Sequence, residues 1–473
     1  MKRELLSLLL LAMLVYPLTS VKGAESLAED AKKSRYEKLE LFNKVLYLIE
    51  SQYYREVDTE KLIEGALNGM MNTLDPHSAF LDKEIFVKMQ EETSGEFGGL
   101  GIEVTQKDGL LVIITPIEDS PAYKAGIKPG DKIVEINHES MIGVSLEQAI
   151  DHLRGKTKSK IVLGISREGV DGIKNFELTR EIVYLKPVKY ELLKDNYAYI
   201  RLTQFQKKSA EYIIEAIRKM KAQIKDKSGL RGIVLDLRSN PGGLLDEAVD
   251  VSSIFLKDGI VVSTEGRDPK NKEIRYVKKS GHKELDLPVV VLINGSTASA
   301  SEIVSGALQD SKRAIIMGTQ SFGKGSVQSV AKIDDQIGLK LTIAQYMTPS
   351  GKKIQAVGIK PDVMIDEMEA EFVDVNKKES TFIREKDLKN HLTATIESAE
   401  EKKAREENEL KERIERAEHY KQVREKKKKG KNKEAASYGD DEDNIKISPK
   451  EDYQVNQAVN YLKNIGLIKS LKF

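Results

Sequence analysis

The sequence predicts an α/β protein, and three stretches of different character support this fold class. Residues 24–92 place apolar side chains at three- and four-residue spacings, which is typical of helices. Residues 95–182 carry short β-rich runs between Gly and Pro turns. Residues 183–366 alternate apolar strands with helices, and runs such as PVVVLI indicate parallel strands that are buried on both faces.

Composition narrows the chemistry. The chain has 473 residues, with 76 Lys+Arg against 75 Asp+Glu, and this balance argues against nucleic acid as the main partner. Cysteine is absent, which excludes disulfides, thiolate metal sites and a Cys nucleophile. The six His residues are scattered without an HExxH pair, so we expect no metal and no cofactor. Hydrolytic chemistry would have to come mainly from Ser, Lys and carboxylates.

Residues 1–23 have the pattern of a secretory signal peptide. Lys2 and Arg3 form a positive start, and the apolar run 5–15 has the length of a signal core rather than of a membrane span. We place the cleavage after Gly23, and an uncleaved anchor is the alternative. The protein is therefore expected to be exported, in the periplasm or cell envelope, where a Cys-free chain suits oxidising conditions.

Two further segments lie outside the α/β core. Residues 24–92 are interpreted as a helical dimerisation region, which the turn in LDPHSAFL (74–81) interrupts. Residues 367–450 are interpreted as a charged insertion, because 24 of the 36 residues in 399–434 are Asp, Glu, Lys or Arg. Such a run favours a solvated helix or disorder, with a docking tail as the alternative. Residues 451–473 return to an amphipathic helical pattern.

Three Gly/Ser-rich loops follow predicted strands of the core, where α/β folds place their chemistry. In LDLRSNPGG, two successive glycines expose backbone amides suited to an oxyanion, or simply form a turn. In INGSTASASEI, a Ser at a strand-to-helix junction is either a nucleophile or an N-cap. In GTQSFGKGSVQS, Lys324 lies between two glycines, but the spacing does not fit a phosphate-binding loop. A surface lysine is the alternative there.

Taken in this order, the three loops resemble the tail-specific, C-terminal-processing peptidases, which are Ser–Lys proteases. LDPHSAFL resembles the opening motif of that family, with His77 where an aromatic residue is usual. TPSGKKIQAVGIKPDV (348–363) resembles its closing segment, and FGGLGIEV (97–104) resembles its PDZ domain. The resemblance implies a crotonase/ClpP-like spiral ββα core over 183–366, an inserted PDZ domain, and helical N- and C-terminal arms.

The resemblance also implies roles for individual residues. Ser299 takes the place of the nucleophile, Lys324 that of the general base, and Gln328 that of the residue that orients the lysine. The backbone N–H of Ala300, together with that of Gly242 or Gly243, would form the oxyanion hole.

The PDZ resemblance indicates what the protein would bind. The turn Gly99-Leu100-Gly101-Ile102 would offer backbone N–H groups to the carboxylate of an apolar protein C-terminus, which then adds as a β-strand. The expected partners are thus protein or peptide substrates with apolar C-termini. A homodimer is expected, and an adaptor protein is a further candidate partner.

A Ser–Lys protease requires Lys324 to be uncharged when it acts as the base. A serine hydroxyl is a weak nucleophile until a base removes its proton. Free lysine has a pKa of ~10.4, so roughly one in a few thousand is neutral at pH 7. Burial can lower that pKa to about 7–8. We therefore expect a desolvated Lys324 and an activity that falls as the pH drops.

Two other functions compete with a Ser–Lys protease. A non-catalytic PDZ scaffold would bind protein C-termini without cleaving them, although all three catalytic positions are present. A Ser–His–Asp triad would draw on His282, the histidine nearest in sequence to Ser299, but this lies in the charged stretch HKELD. A protease that stays inactive until a partner rearranges its PDZ domain also fits the sequence.

Overall fold

The computed structural model describes residues 34–470, with gaps that are given at the end of this paragraph. The predicted signal peptide and most of the predicted charged insertion lie outside the described residues. Among the described residues, no helix has both the length and the apolar character needed to cross a membrane. The gaps are 108, 118, 226–227, 269, 271, 335–336, 367–382, 395–400, 402–403, 406 and 408–447.

The chain divides into two compact units, and the first ends at Leu74. Its described part has two helices, α1 (34–52) and α2 (Thr59–Asn72). Asp58 caps α2 by accepting hydrogen bonds from the N–H groups of Glu60 and Lys61. None of the described residues 34–74 is buried. The unit therefore exposes many large apolar side chains, among them Tyr36, Leu39, Phe42, Tyr47, Leu48, Tyr53, Tyr54 and Met70.

The second unit begins at Asp75 and carries the remaining elements. Its α-helices include α3 (Lys83–Ser94), α4 (Pro121–Lys124), α5 (Leu146–Leu153), α6 (Ser209–Gln223), α7 (Leu245–Phe255), α8 (Ala300–Asp310) and α9 (Tyr453–Ser470). Short 3₁₀ turns occur at Lys194–Asn196 and Glu385–Asp387. The first ten strands are β1 (Ala79–Leu81), β2 (Glu96–Gly99), β3 (Ile102–Lys107), β4 (Leu110–Pro116), β5 (Lys132–Ile136), β6 (Glu139–Ser140), β7 (Lys160–Ser166), β8 (Ile173–Thr179), β9 (Glu181–Tyr184) and β10 (Val188–Leu192). The others are β11 (Tyr197–Leu202), β12 (Gly232–Asp236), β13 (Ile260–Gly266), β14 (Lys272–Tyr276), β15 (Val289–Ile293), β16 (Ala314–Gly318), β17 (Ser326–Lys332), β18 (Gly338–Met347) and β19 (Val363–Met364).

The β-rich stretch forms its own antiparallel sheet in the order β3-β4-β5-β7-β8, with β6 beside β5. Its apolar core includes Ile113, Ile133 and Ile165, against which α5 packs through Ala149 and Leu153. Strand β3 lies at one edge of this sheet. A separate ribbon of β2 and β9 pairs the segments where the chain enters and leaves the module.

The alternating stretch forms a six-stranded sheet in the order β10-β11-β12-β15-β16-β19, parallel except for the β10–β11 pair. Successive residues of a strand point to opposite faces. Ile233 and Leu235 belong to the core that α6, α7 and α8 cover, whereas Val234 belongs to the core that α9 covers through Val455 and Leu462. Both faces are buried, which explains the continuous apolar runs of these strands and confirms the prediction.

The topology brings the three predicted loops together. Strands β12, β15 and β16 are neighbours and parallel, so the loops that follow them leave the same edge of the sheet. We call these the glycine loop (237–244), the serine loop (294–299) and the lysine loop (319–325). A second sheet, β1-β18-β13-β14 with β17 beside β18, continues from the lysine loop.

Candidate active site

Ser299 lies at a strained junction between the serine loop and α8. It is the N-cap of that helix, with φ 55° and ψ −116°, and it is 9% exposed. A positive φ is uncommon for a residue with a Cβ and is retained only where the surroundings impose it. Here Asn240 O accepts hydrogen bonds from the Ala298 N–H at 3.0 Å and from the Ser301 hydroxyl at 3.1 Å. The bend at Ser299 is therefore held on both sides by one carbonyl of the glycine loop.

Gly242 presses directly against this junction. Its φ is +103°, and a Cβ on it would lie 2.7 Å from Ser299 Cβ and 2.9 Å from Ala300 N. Only glycine fits such a contact without displacement. The Gly242 N–H donates to Asn240 Oδ1 at 2.9 Å, whereas the Gly243 N–H has no acceptor among the described residues.

Glu302 connects the serine loop to the lysine loop. This fully buried carboxylate accepts the Ser299 N–H at 2.8 Å and the Lys324 N–H at 2.9 Å, both on Oε2. The amide nitrogens of Ser299 and Lys324 thus lie no farther apart than the sum of these two distances. The other oxygen, Oε1, accepts the Gly323 N–H at 2.7 Å and the Ser321 hydroxyl at 2.5 Å.

Burial and hydrogen bonding act on Glu302 in opposite directions. Burial raises the pKa of the Glu302 carboxyl to about 7, while its bonds from Ser321, Ser299, Gly323 and Lys324 work to lower it. All four partners are donors, because the Ser321 hydroxyl already accepts the Ile359 N–H and has its proton free for Glu302. Four donors match an ionised carboxylate. Sequence analysis missed this residue, although the SxxE spacing of a capping box marks it.

Lys324 is partly buried between Gly323 and Gly325. Burial is the largest cause that lowers its pKa, and the positive charge of Lys340 adds to the effect. The carboxylates of Glu385, Glu302 and Asp75 act in the opposite direction without reversing it. Among the residues that the structure describes, Lys324 makes no ion pair. Its environment therefore favours a neutral amine more than water does.

The Gln328 side chain hydrogen-bonds to side chains of β17 and β18. Its Nε2 donates to the Ser326 hydroxyl at 2.8 Å and lies 3.4 Å from Thr342 Oγ1, and no described contact joins it to Lys324. Thr342 in turn donates to Asp75 Oδ1 at 3.1 Å. The orienting role of Gln328 stays a prediction.

The opening motif LDPHSAFL contributes to the lysine side of the site. Asp75 accepts hydrogen bonds from the N–H groups of His77 and Ser78 and from the Ser78 hydroxyl, and Ser78 Oγ accepts the Thr342 N–H at 3.1 Å. Strand β1, which ends the motif, pairs with β18 in antiparallel register. Sequence analysis had grouped this motif with the helical arm and had not predicted a role for it near the site.

The predicted carboxylate-binding turn of the β-rich module has free donors. The N–H groups of Leu100 and Gly101 have no acceptor in the part of the chain that the structure describes. Gly101 has φ +72°, and its carbonyl accepts the Ile117 N–H at 2.8 Å. The turn, which runs from Gly99 into Ile102, leads directly into the edge strand β3.

Comparison with known proteins assigns the chain to a family. The profile of Peptidase family S41 matches residues 196–365, that of the PDZ domain 87–166, and that of the activating protease CtpB N-terminal domain 14–85. The carboxy-terminal-processing protease of Bartonella bacilliformis is 42% identical over 375 residues, which cover 79% of this chain and 85% of that protein. The chain belongs to the carboxy-terminal-processing proteases of family S41.

Other members of the family show similar coverage. The carboxy-terminal processing protease CtpA of Bacillus subtilis is 37% identical over 70% of this chain and 69% of its own length. A solved photosystem II D1 C-terminal processing protease is 29% identical, with a TM-score of 0.40, over 69% of this chain and 92% of its own. The matches to Peptidase family S41, to the PDZ domain and to the carboxy-terminal processing proteases make this chain a serine-type endopeptidase with a PDZ domain and with protein or peptide substrates.

The histidine considered as an alternative base lies elsewhere in the protease. His282 Nε2 is 2.7 Å from Glu284 Oε1, and its side chain is 39% exposed. No described contact joins it to Ser299. The geometry gives no support to a triad built on His282.

Proposed function

We propose that Ser299 is the nucleophile of this protease and that Lys324 is its general base. The observation that carries the proposal is the shared carboxylate oxygen of Glu302, which holds the backbone of both residues. A neutral Lys324 amine takes the proton of the Ser299 hydroxyl as Oγ attacks the substrate carbonyl. The ammonium then protonates the leaving amine, and water hydrolyses the acyl-enzyme with Lys324 again as base.

The oxyanion of the tetrahedral intermediate needs two donors. We assign them to the N–H of Ala300, the first residue of α8, and to the N–H of Gly243. Gly243 is preferred to Gly242 because the Gly242 N–H is already used by Asn240. Two fixed backbone donors at a helix start stabilise the developing negative charge without reorganisation.

The PDZ domain is proposed to capture the substrate by its C-terminus. The unbonded N–H groups of Leu100 and Gly101 suit a carboxylate, and the edge strand β3 leaves a row of backbone groups for an added strand. An apolar final side chain is the expected ligand.

The remaining proposals concern the whole chain. Residues 1–23 are proposed to export the protein to the periplasm or cell envelope, and 183–366 to form a spiral core of the crotonase/ClpP type. The exposed apolar helices of 34–74 are proposed to dimerise with a second copy, because contiguous apolar surface of this kind marks an interface. An adaptor that presents substrates is a further proposed partner. The proposed boundaries are 1–23, 24–92, 95–182, 183–366, 367–450 and 451–473.

The test is cleavage of an unfolded model protein with an apolar C-terminus. We expect Ser299→Ala and Lys324→Ala to lose cleavage while their circular dichroism stays unchanged. Ser296→Ala, an exposed serine in the same loop, is the matched control and should cleave normally. Persistent cleavage by Lys324→Ala would exclude Lys324 as the base. Binding without cleavage by the wild type, even with adaptors added, would favour the PDZ scaffold.

A further inference from the structure

Residues 383–394 belong to the segment interpreted from sequence as a charged insertion, yet they pack against the lysine loop. Glu385, in the turn Glu385–Asp387, has no exposed surface. Its Oε2 lies 2.7 Å from His77 Nε2, and its Oε1 accepts the Gln355 Nε2 at 2.9 Å. Its backbone N–H donates to Phe322 O at 3.2 Å. A carboxylate from a charged, low-complexity stretch is thus fully desolvated beside the candidate active site.

Gln355 connects Glu385 to Gly325, the residue that follows Lys324. Its Nε2 donates both to Glu385 and to the Leu392 carbonyl at 2.9 Å, and its Oε1 accepts the Gly325 N–H at 3.0 Å. An amide side chain can turn over and exchange its oxygen and nitrogen. Because Glu385 Oε1 and Leu392 O both accept, they require the amide nitrogen on their side. The amide oxygen is left facing Gly325.

The contacts lie on both sides of Lys324. Phe322 is bonded to the Glu385 backbone, and Gly325 is bonded through Gln355 to the Glu385 side chain. Gly325 itself is packed without spare room, since a Cβ on it would lie 2.3 Å from Gln355 N. The stretch 322–325 that presents Lys324 is therefore fixed at both ends by one residue.

We infer that Glu385 is a positioning residue of the peptidase: through Gln355 and Phe322 it holds the lysine loop so that Lys324 faces Ser299. The inference deepens the proposed function and rests on Lys324 as the base. Glu385 touches neither substrate nor the reacting atoms in this scheme. Its carboxylate also adds a negative charge near Lys324, next to those of Glu302 and Asp75 and opposite to the charge of Lys340.

The test measures kcat and KM of the full chain on a quenched fluorescent peptide with an apolar C-terminus, as a function of pH. Glu385→Gln should lower kcat about tenfold to a hundredfold, the usual cost of a small misplacement, and leave KM within about twofold. Removal of the negative charge should lower the pKa of Lys324, so the rising limb of kcat should move to lower pH. Glu451→Gln, at an exposed glutamate, is the matched control and should behave as the wild type.

A second variant distinguishes the effect of the negative charge of Glu385 from the effect of its side-chain length. Glu385→Asp keeps the negative charge but shortens the side chain, so kcat should fall while the rising limb stays in place. It also serves alone if Glu385→Gln does not fold. Wild-type kcat in either variant would overturn the inference, and so would a loss in Glu385→Gln that follows only the folded fraction with an unmoved pH limb.

The outcome is distinguishable from a failure of the proposed function. If Lys324→Ala cleaves as the wild type does, the dyad and the inference both fall. If Lys324→Ala is inactive while Glu385→Gln is normal in rate and pH dependence, only the role of Glu385 falls.

Discussion

The serine loop and the lysine loop leave neighbouring strands, but different kinds of contact hold them. The serine loop is held by groups of its own motif and of the glycine loop. Asn294 Oδ1 accepts the N–H groups of Ser239 and Ser296, the Thr297 hydroxyl donates to Leu237 O, and Asn240 O holds both sides of Ser299. These donors and acceptors lie within two short stretches of sequence.

The lysine loop bonds to the serine loop through the Phe322 N–H and the Thr297 carbonyl, and it is also held by residues from three other elements. Glu302 comes from α8, Gln355 from the closing segment, and Glu385 from the stretch after β19. Glu302 and Gln355 place buried side chains against the backbone of the loop, and Glu385 bonds to it through its own backbone N–H. The comparison shows that the motif around Lys324 does not include residues such as Gln355 and Glu385, which hold that motif in place.

The largest loss of peptidase activity is expected for a substitution in the glycine loop that displaces Ser299. At φ +103°, Gly242→Ala would place a Cβ 2.7 Å from Ser299 Cβ and 2.9 Å from the N of Ala300, a proposed oxyanion donor. We expect peptidase activity to fall by about a thousandfold, as for a lost oxyanion donor. Gly259→Ala is the matched control, because Gly259 has φ +102° with nothing within 4 Å. Steady-state cleavage rates check the prediction. Equal losses in both variants would show that backbone strain alone is responsible.

Glu302→Gln should reduce kcat by about a hundredfold. The amide would turn a donor toward at least one of the N–H groups that now share the carboxylate, and so separate the serine and lysine loops. Glu247→Gln is a fitting control, since Glu247 also accepts two backbone N–H groups, from Lys208 and Ala210, but in the described part of the chain it bonds to neither the serine loop nor the lysine loop. If both variants lose the same stability and both keep their activity, the carboxylate of Glu302 is not a link between the loops.

The pH dependence sharpens the electrostatic side of the comparison. The pKa of Lys324 is lowered by burial and by Lys340, so its neutral form and the activity should increase with pH. Lys340→Met removes a positive charge, which should raise the pKa of Lys324 and move the rising limb of kcat to higher pH by up to about one unit, or tenfold in activity at fixed pH below the limb. Rate profiles between pH 5 and 10 measure this shift. Lys360→Met, at an exposed lysine, should leave the limb unmoved.

The smallest effect is expected where the glycine loop contacts the segment just before α9. Arg238 pairs with Asp236 at 2.7 Å and with Asp452 at 2.9 Å, just before α9. Asp452→Asn should lower the free energy of unfolding by about 1–2 kcal/mol and the activity only a few-fold, because Asp236 remains. Urea unfolding checks this. Glu191→Gln breaks the more exposed pair with Lys450, and a loss there as large as that of Asp452→Asn would contradict the prediction.

Sequence reasoning reached the parts of the fold whose causes are local. The run PVVVLI contains the buried strand β15, and the helices α6, α7 and α8 alternate with strands in the stretch where this alternation was predicted. Their period of apolar residues follows from burial on one or both faces. The glycine and serine loops were singled out because they follow predicted strands, where α/β folds place their chemistry.

The residues that hold the lysine loop could not be recognised from the sequence in the same way. Glu302 fits a capping box, but Gln355 and Glu385 have meaning only once the fold brings them to Gly325 and Phe322. The charged composition after residue 366 also concealed Glu385, because a run of solvated charges predicts exposure for each of its members. The side chain of Glu385 is fully buried, although the composition of its segment predicts exposed side chains.

Helix α9 follows in sequence all the strands of the central sheet, one face of which it covers. The outer face of the central sheet, with Tyr199, Val234, Val290 and Leu292, is covered by Val455, Ala458, Val459 and Leu462. During synthesis from the N-terminus, this apolar face of the sheet therefore stays uncovered until these four residues have been added. The same residues follow Asp452, which grips the glycine loop through Arg238. The central sheet and the glycine loop therefore gain these contacts only once residues 452–462 have been made.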